Sequence, residues 1–277
     1  MSADFLASMA DSSRARVVQA RRLMGEGELM RWAEATPVPP ALVLSPQGFD
    51  VIAEVKLRSP AVGQLKTGDE DVAARVGGYA AAGAAAVSVL TEPERFEGSL
   101  DHLEQASRAL VARRVPSMRK DFLVDPYQVA EARLAGAGGI LIIVRMLDRA
   151  ALLALVSCAK RFGLFVLVEC FDERDIEIAR DLAASPEARG ARLLLGLNSR
   201  DLVTLKVVPG RLEELAPRLP AELPRVAESG VATPEDAARL SACGYELALI
   251  GSALMTAPDP AALLRGMIEA GRKARTR

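Results

Sequence analysis

The sequence predicts a parallel (β/α)₈ barrel preceded by a helical segment. Eight short apolar runs recur along the chain, and their starts lie 22 to 35 residues apart. Stretches rich in Ala, Leu and Arg with helical spacing separate these runs. Eight alternating strand and helix units in 277 residues are typical of a closed barrel. An open, doubly wound sheet has the same alternation and stays an alternative here, since periodicity does not prove closure.

Residues 1–48 form the predicted helical extension. Two stretches rich in helix formers are separated by Gly25 and Gly27, and a proline-rich segment at 37–40 ends the region. We expect the barrel to occupy residues 49–270 and the whole chain to be a single domain. Half of the residues are hydrophobic, which is enough for one large core.

The predicted strands are rich in Val, Ile and Leu, as strands covered on both faces would be. In chain order they are DVIAEVK from residue 50, AAVSVL from 85, VPSMRKD from 115, GILIIV from 139, LFVLVEC from 164, RLLLGL from 192, PRVAES from 224 and ELALIG from 246. The intervening stretches, such as DPYQVAEARLAGAG and TPEDAARLSACG, begin at Asp or Thr and end at Gly. These are helix caps, so each stretch is predicted to be a separate helix.

Charged and small residues mark the ends of the predicted strands. They are Glu54 and Lys56, Lys120, Glu169, Asn198 and Arg200, Glu228 with Ser229 and Gly230, and Gly251 with Ser252. Buried charge is unfavourable unless it is paired or used. In a barrel these strand ends meet at one mouth, where active sites lie. Glu54 and Lys56 alone could equally be a structural ion pair, but the agreement of six strand ends favours a functional site.

This set of residues predicts acid–base chemistry on a phosphorylated small molecule. In a partly dry cup, opposite charges shift each other's pKa values. A lysine there can act as a general acid and a glutamate as a general base. The motifs ESG and IGS end the last two runs. Backbone amides after the seventh and eighth strands of such barrels commonly bind phosphate.

Composition excludes several other classes of function. The net charge is -1, from 35 basic and 36 acidic residues, so neither a nucleic-acid nor an anionic-membrane partner is expected. Three scattered cysteines predict no disulfide frame or zinc site, and the single histidine, His102, argues against multi-histidine metal centres. We expect no metal and no cofactor. No signal-peptide or membrane-spanning pattern occurs, which predicts a cytoplasmic protein.

Seven segments together resemble the indole-3-glycerol phosphate synthase family of tryptophan biosynthesis over residues 5–270. They are IAEVKLRSPAVG, VSVLTEPERFEGSLDHL, MRKDFLVDPYQVAEARLAGAGGILIIV, LVEC, GLNSRDL, VAESGV and LIGSALM. The resemblance implies an N-terminal extension over the barrel mouth. It also implies that 1-(2-carboxyphenylamino)-1-deoxyribulose 5-phosphate closes to indole-3-glycerol phosphate with loss of carbon dioxide and water. No metal or organic cofactor is used in that reaction.

The resemblance also implies a role for each site residue. Lys120 would be the general acid on the ribulose carbonyl oxygen, and Glu169 would support the cationic intermediate. The other catalytic residues would be Lys56, Glu54, Asn198 and Glu228. Substrate binding would involve Arg200, Ser59, Phe96, Phe122, Leu141 and Leu202. The phosphate cradle would consist of Ser229, Gly230, Gly251 and Ser252.

The chain departs from the family pattern in its loops. SPAVG replaces the usual SPSKG, so Ala61 lacks a hydroxyl and Val62 lacks a charge. LVECF replaces LVEVH, and NSRDL replaces NNRDL. Three alternatives therefore stay open: a paralogue with a modified substrate, a sugar-phosphate isomerase with Cys170 as a catalytic residue, and a non-catalytic barrel that binds a phosphorylated ligand. We expect a monomer that associates at most weakly with other enzymes of the tryptophan pathway.

Overall fold

The protein is built on a closed barrel of eight parallel strands. The structure is a computed structural model and describes residues 2–59, 63–65 and 70–275. The barrel confirms the predicted fold class and excludes the open sheet. In barrel order its strands are β1 (Asp50–Val55), β4 (Ala86–Leu90), β5 (Ser117–Lys120), β6 (Gly139–Ile143), β7 (Phe165–Cys170), β8 (Arg192–Asn198), β9 (Arg225–Glu228) and β10 (Leu247–Ile250). Pairing of β10 with β1 closes the barrel.

Helices precede the barrel and surround it. Two come before it, α1 (Ser2–Leu23) and α2 (Glu26–Ala35). The others are α3 (Val72–Ala81), α4 (Pro93–Phe96), α5 (Leu100–Val111), α6 (Pro126–Leu134), α7 (Arg149–Arg161), α8 (Glu173–Ala184), α9 (Arg211–Leu215), α10 (Pro234–Ala242), α11 (Ser252–Thr256) and α12 (Pro260–Arg275). Among the described residues, none of these helices is both long and apolar enough to cross a membrane.

Several short elements escape prediction from periodicity. They are the hairpin β2 (Arg58–Ser59) and β3 (Gly63–Gln64), the helices α4, α9 and α11, and the 3₁₀ turns Val144–Met146 and Ala216–Arg218. Each is too short to repeat a helical or alternating pattern, so the sequence carries no periodic evidence for it. The hairpin follows β1, α4 follows β4 and α11 follows β10. All three therefore lie at the carboxyl ends of the barrel strands.

The helix caps that the sequence predicts form as expected. Asp125 accepts a hydrogen bond from the backbone of α6, and Asp148 accepts one from that of α7. Thr233 and Asp236 form a reciprocal capping box at the start of α10. At the carboxyl ends of α6 and α10, Gly136 and Gly244 adopt φ angles of 82° and 96°, in the left-handed region that favours glycine.

Alternation along the strands divides the apolar side chains between two cores. In β1, Val51 and Ala53 belong to the outer core against the helices, whereas Ile52 belongs to the barrel interior. Glu54 lies on the same strand face as Ile52, one step nearer the mouth. The pattern that fills the barrel therefore also directs Glu54 into the mouth.

The first helix is held against the barrel mouth by a buried ionic network. Arg16 donates two hydrogen bonds to Asp121, at 2.8 and 2.9 Å. Asp121 also accepts from Arg119, which is only 2% exposed, and from Thr91. Burial alone would raise the pKa of Asp121, but these donors outweigh it and lower the pKa to about 2. Phe5 of α1 packs edge-on against Phe122.

We predict that Asp121→Asn destabilises the fold, and that the effect depends on pH. Arg119 then keeps only Glu131, at 3.0 Å, as an ion-pair partner among the described residues, so the cost at neutral pH should lie below the roughly 3–5 kcal/mol of a fully broken buried pair. Since the folded-state pKa is depressed from 3.8, the stabilisation is present above about pH 4 and is lost as the pH falls toward 2. The difference in free energy of unfolding between wild type and variant should therefore shrink on acidification.

Urea titrations between pH 3 and pH 7 measure this difference. Glu104→Gln removes the carboxylate of an exposed pair with Arg108 and is the control. It should change the free energy of unfolding by less than about 1 kcal/mol at every pH. A deficit in Asp121→Asn that stays constant across the range would contradict the prediction.

Candidate active site

A cavity of about 390 Å³ lies at the carboxyl ends of the barrel strands. Its polar lining includes Glu54, Lys56, Lys120, Glu169, Asn198, Arg200 and Glu228. Its apolar lining includes Phe5, Leu6, Phe96, Phe122, Leu141, Phe171 and Leu202. The cavity therefore combines groups that stabilise charge with a surface that fits an apolar ring.

Lys120 lies at the end of β5 between two buried carboxyl groups. Its Nζ is 3.7 Å from Glu169 Oε1 and 3.8 Å from Glu228 Oε2. Burial by itself would lower the pKa of Lys120, but the charges of Glu169, Glu228 and Glu54 outweigh burial and raise it. The ammonium is therefore fully charged at neutral pH and faces the cavity.

Glu54 and Lys56 form a second ion pair in the mouth. Lys56 Nζ donates to Glu54 Oε1 at 2.6 Å, and Glu54 is only 2% exposed. Burial opposes ionisation of Glu54, but the charges of Lys56 and Lys120 overcome it and lower the pKa of the carboxyl. A side chain at Gly251 would collide with Glu54 Oε1 and approach Lys56 Nζ to 2.8 Å. Gly251 is thus required for the pair to lie against the β10 loop.

Glu228 is the most unfavourably placed carboxyl group of the site. It is 1% exposed, and neither of its oxygens has a hydrogen-bond partner among the described residues. Burial and the nearby Glu169 charge raise its pKa well above the ordinary value, although Lys120 opposes the shift. Its side chain lies over Gly196 of β8, where any larger residue would collide with Oε1. The barrel thus leaves space for the Glu228 carboxyl group, although none of the described residues donates a hydrogen bond to it.

Asn198 and Arg200 extend the polar lining beyond β8. Asn198 Nδ2 donates to Glu169 Oε1 at 2.6 Å, and its Oδ1 accepts from the backbone N–H of Arg200 at 2.9 Å. Arg200 in turn donates from Nη1 to the carbonyl of Leu205. Glu169 is therefore held from one side by Asn198, while Lys120 faces the same oxygen.

The loops after β9 and β10 have the small residues that an anion cradle requires. Ser229 and Gly230 both adopt left-handed backbone angles, with φ of 65° and 76°. Ser199 Oγ donates to the Ser229 carbonyl at 3.1 Å and fixes this turn. Both residues line the cavity, so the backbone N–H groups of this turn are candidates for contact with an anion. Gly251 and Ser252 border the same cavity at the start of α11.

The sequence matches known proteins along almost its whole length. The profile of the family described as "Indole-3-glycerol phosphate synthase" matches residues 6–267. The chain is 38% identical over 271 residues to the indole-3-glycerol phosphate synthase of Mycobacterium leprae (strain Br4923), with 97% of this chain and 95% of that protein covered. It is 40% identical over 267 residues to the one of Opitutus terrae (strain DSM 11246 / JCM 15787 / PB90-1), with 94% and 97% covered.

The chain belongs to the indole-3-glycerol phosphate synthase family. Solved structures of lower identity support the fold alone. The 3-hexulose-6-phosphate synthase from Salmonella typhimurium superposes with a TM-score of 0.62 at 11% identity, covering 82% of this chain and 100% of that one. The thiamine phosphate pyrophosphorylase from Pyrococcus furiosus gives a TM-score of 0.57 at 14% identity, with 82% and 97% covered.

The structure brings almost all of the predicted site residues of this synthase-family chain to one cavity. Every one of them lines it except Ser59, whose side chain lies outside the described part of the chain, as do Ala61 and Val62 of the departing loop. Their common location is an observation, whereas the individual roles implied by the family resemblance stay predictions.

Sequence reasoning missed several apolar side chains that line the cavity, among them Phe5, Leu6 and Phe171. Phe5 and Leu6 belong to α1, and Phe171 directly follows β7. The departure from LVEVH identified Phe171 only as a difference from the family pattern. Nothing in the sequence of α1 shows which of its apolar residues face the mouth, because that depends on where Arg16 anchors the helix.

We predict that Glu228→Gln stabilises the protein while it impairs the site. A carboxyl group whose pKa rises on folding destabilises the folded state as the pH rises above its ordinary value of 4.5. The amide removes that penalty, so the melting temperature should increase by a few degrees at pH 7 to 8, where about 1 kcal/mol shifts it by roughly 2–4 °C.

Differential scanning calorimetry from pH 5 to pH 8 measures the gain, which should grow with pH. Glu235→Gln, at an exposed position of α10, is the control and should leave the melting temperature unchanged. A melting temperature of Glu228→Gln at pH 8 that is equal to or lower than that of wild type would refute the expected destabilisation of the fold by the Glu228 carboxylate.

Proposed function

We propose that this chain catalyses the ring closure of 1-(2-carboxyphenylamino)-1-deoxyribulose 5-phosphate to indole-3-glycerol phosphate. The observation that carries this proposal is the position of Lys120, an ammonium held between two buried carboxyl groups and facing a cavity with an apolar wall and an anion cradle. The product is the indole intermediate of tryptophan biosynthesis, in keeping with family membership.

The first step forms a carbon–carbon bond between the aryl ring and the ribulose carbonyl. The aryl carbon that carries the carboxylate attacks the carbonyl carbon, and the carbonyl oxygen takes a proton to become a hydroxyl. Lys120 is suited to this step because its ammonium is charged and fixed in a dry site, where it stabilises developing negative charge without reorganisation. A new proton then reaches Lys120 from solvent or from a neighbouring acid.

The later steps release carbon dioxide and water. Attack leaves the ring cationic, and Glu169 beside Lys120 would stabilise that charge until decarboxylation restores aromaticity. Loss of the hydroxyl as water then needs an acid at oxygen and a base at the adjacent carbon. The Lys56 and Glu54 pair offers both kinds of group in hydrogen-bond contact, and Glu228 completes the polar wall.

Both ends of the flexible substrate must be held for the ring to close. We assign the phosphate to the backbone of Ser229, Gly230, Gly251 and Ser252. The aryl ring would pack against Phe96, Phe122, Leu141 and Leu202, while Arg200 and Ser59 orient the polar groups between. Strands β5 and β6, which position Phe122 and Leu141, lie across the barrel from β9 and β10, so the cavity can keep the two ends of the substrate apart.

The isomerase alternative depends on Cys170, and its surroundings argue against it. The thiol belongs to the outer core between β7 and the helices and does not line the cavity. Burial, followed by the charge of Asp175, raises the pKa of Cys170, which suppresses the reactive thiolate.

The deciding experiment supplies purified protein with the carboxyphenylamino substrate and follows indole fluorescence. We expect fluorescence to rise at a rate that a metal chelator does not change. Binding by calorimetry without any rise would contradict the synthase activity and favour the ligand-binding alternative or a paralogue with a modified substrate.

We predict that Lys120→Met lowers kcat by about 10²–10⁴-fold, because it removes both the acid and its charge. The linear side chain keeps most of the packing volume, but it leaves the buried Glu169 and Glu228 without their cation, so we expect a folded variant with a lower melting temperature. Lys160→Met, on the outer helix α7, is the matched control and should retain full activity. Near-normal turnover by Lys120→Met would eliminate Lys120 as the acid.

A further inference from the structure

A second hollow lies directly behind the apolar end of the cavity. It is a groove of about 440 Å³ between α1 and the segments after β6 and β8. Leu6 and Leu202 line both the groove and the main cavity. These two side chains, which border both spaces, belong to a layer that we call the partition.

A stacked pair of side chains completes the partition. The Phe171 ring lines the main cavity, and Arg145 lines the groove. The Arg145 guanidinium lies over the ring, 4.7 Å from its centroid. A cation over a ring face is attracted to its quadrupole, so the ring is favoured in this orientation.

One buried carboxylate oxygen fixes both halves of the stack. Asp175 Oδ2 accepts from Arg145 Nε at 2.8 Å and from the backbone N–H of Phe171 at 2.9 Å. Asp175 is 2% exposed, and a second carboxylate, Asp172, pairs with the other end of the guanidinium. The Phe171 ring and the Arg145 guanidinium are thus both held by Asp175. We expect the Phe171 side chain to be less mobile than a leucine side chain without such contacts.

We propose that Phe171, held by Arg145 and Asp175, is a specificity-determining residue that limits which substituents the aryl ring can carry. The inference rests on the proposed function, which packs the aryl ring against Leu202, one of the side chains of the partition. A ring without substituents fits the cavity, whereas a group that points toward the partition collides with Phe171. Removing the ring of Phe171 would deepen the cavity as far as Arg145, which lines the groove, and would admit such a group.

The test compares wild type with Phe171→Ala and Phe171→Leu. Ligands are the non-cyclising analogues in which the ribulose carbonyl is reduced to an alcohol, unsubstituted or with an ethyl group at each free ring position. Calorimetry gives the ratio of Kd for each ethyl analogue to Kd for the unsubstituted one. For at least one ring position we expect Phe171→Ala to lower this ratio by tenfold or more, and Phe171→Leu to lower it less.

Phe162→Ala is the matched control. Phe162 is also buried and also lies under an arginine, Arg161, at 5.9 Å, but it lines neither hollow. The Phe162→Ala substitution should leave every ratio of Kd values at its wild-type value. Arg145→Gln should lower the ratio at the same ring position as Phe171→Ala, because a ring without its cation is free to swing aside.

Unchanged ratios in both Phe171 variants, or equal changes in Phe162→Ala, would overturn the proposal. Turnover of the unsubstituted substrate by wild type reports on the proposed function separately. Normal turnover with unchanged ratios would reject the specificity role alone. Binding without turnover, with altered ratios, would reject the synthase activity and keep the role of Phe171.

Discussion

The buried charge at the barrel mouth is the constraint on which the rest of the site depends. Three glutamates and a lysine occupy a space that a barrel would otherwise fill with apolar side chains. The carboxylates raise the pKa of Lys120 in spite of its burial, and Lys56 and Lys120 lower the pKa of Glu54. Glu228 is the exception, since its pKa stays raised beside Lys120. The charges therefore depend on one another, although they come from strands far apart in the chain.

The charged side chains also need space in the barrel and an element that borders the mouth. Two glycines provide the space, and the N-terminal helix borders the mouth. Gly196 and Gly251 leave the space into which Glu228 and Glu54 extend, since a larger residue at either position would strike a carboxylate. The helix α1 contributes Phe5 and Leu6 to the cavity lining, and it is held by an ionic network of its own through Asp121. Because Asp121 directly follows Lys120, its hydrogen bonds with Arg16 hold helix α1 next to the proposed acid.

The sequence predicts the barrel well because its information is periodic. Apolar runs at regular spacing and capped helices between them define the strand order, and strand order alone brings Glu54 and Glu228 to the same mouth. Elements without a period stay hidden, such as the four-residue helix α4 that carries Phe96. The positions of Phe5 and Leu6 depend on a contact between Arg16 and Asp121, 105 residues apart, which no local pattern encodes.

Phe171 illustrates a different limit of sequence reasoning. Its residue type shows an apolar ring after a strand, yet its importance depends on what lies behind it. The Arg145 guanidinium and the Asp175 carboxylate come from the segments that follow β6 and β7, and together they turn a flexible ring into a fixed wall. On the proposed function, the buried charges at the mouth carry out the reaction, and the Asp175 carboxylate that holds Arg145 and Phe171 limits which rings can bind. Both proposed roles then depend on the same physical feature, a buried carboxylate shared between two partners.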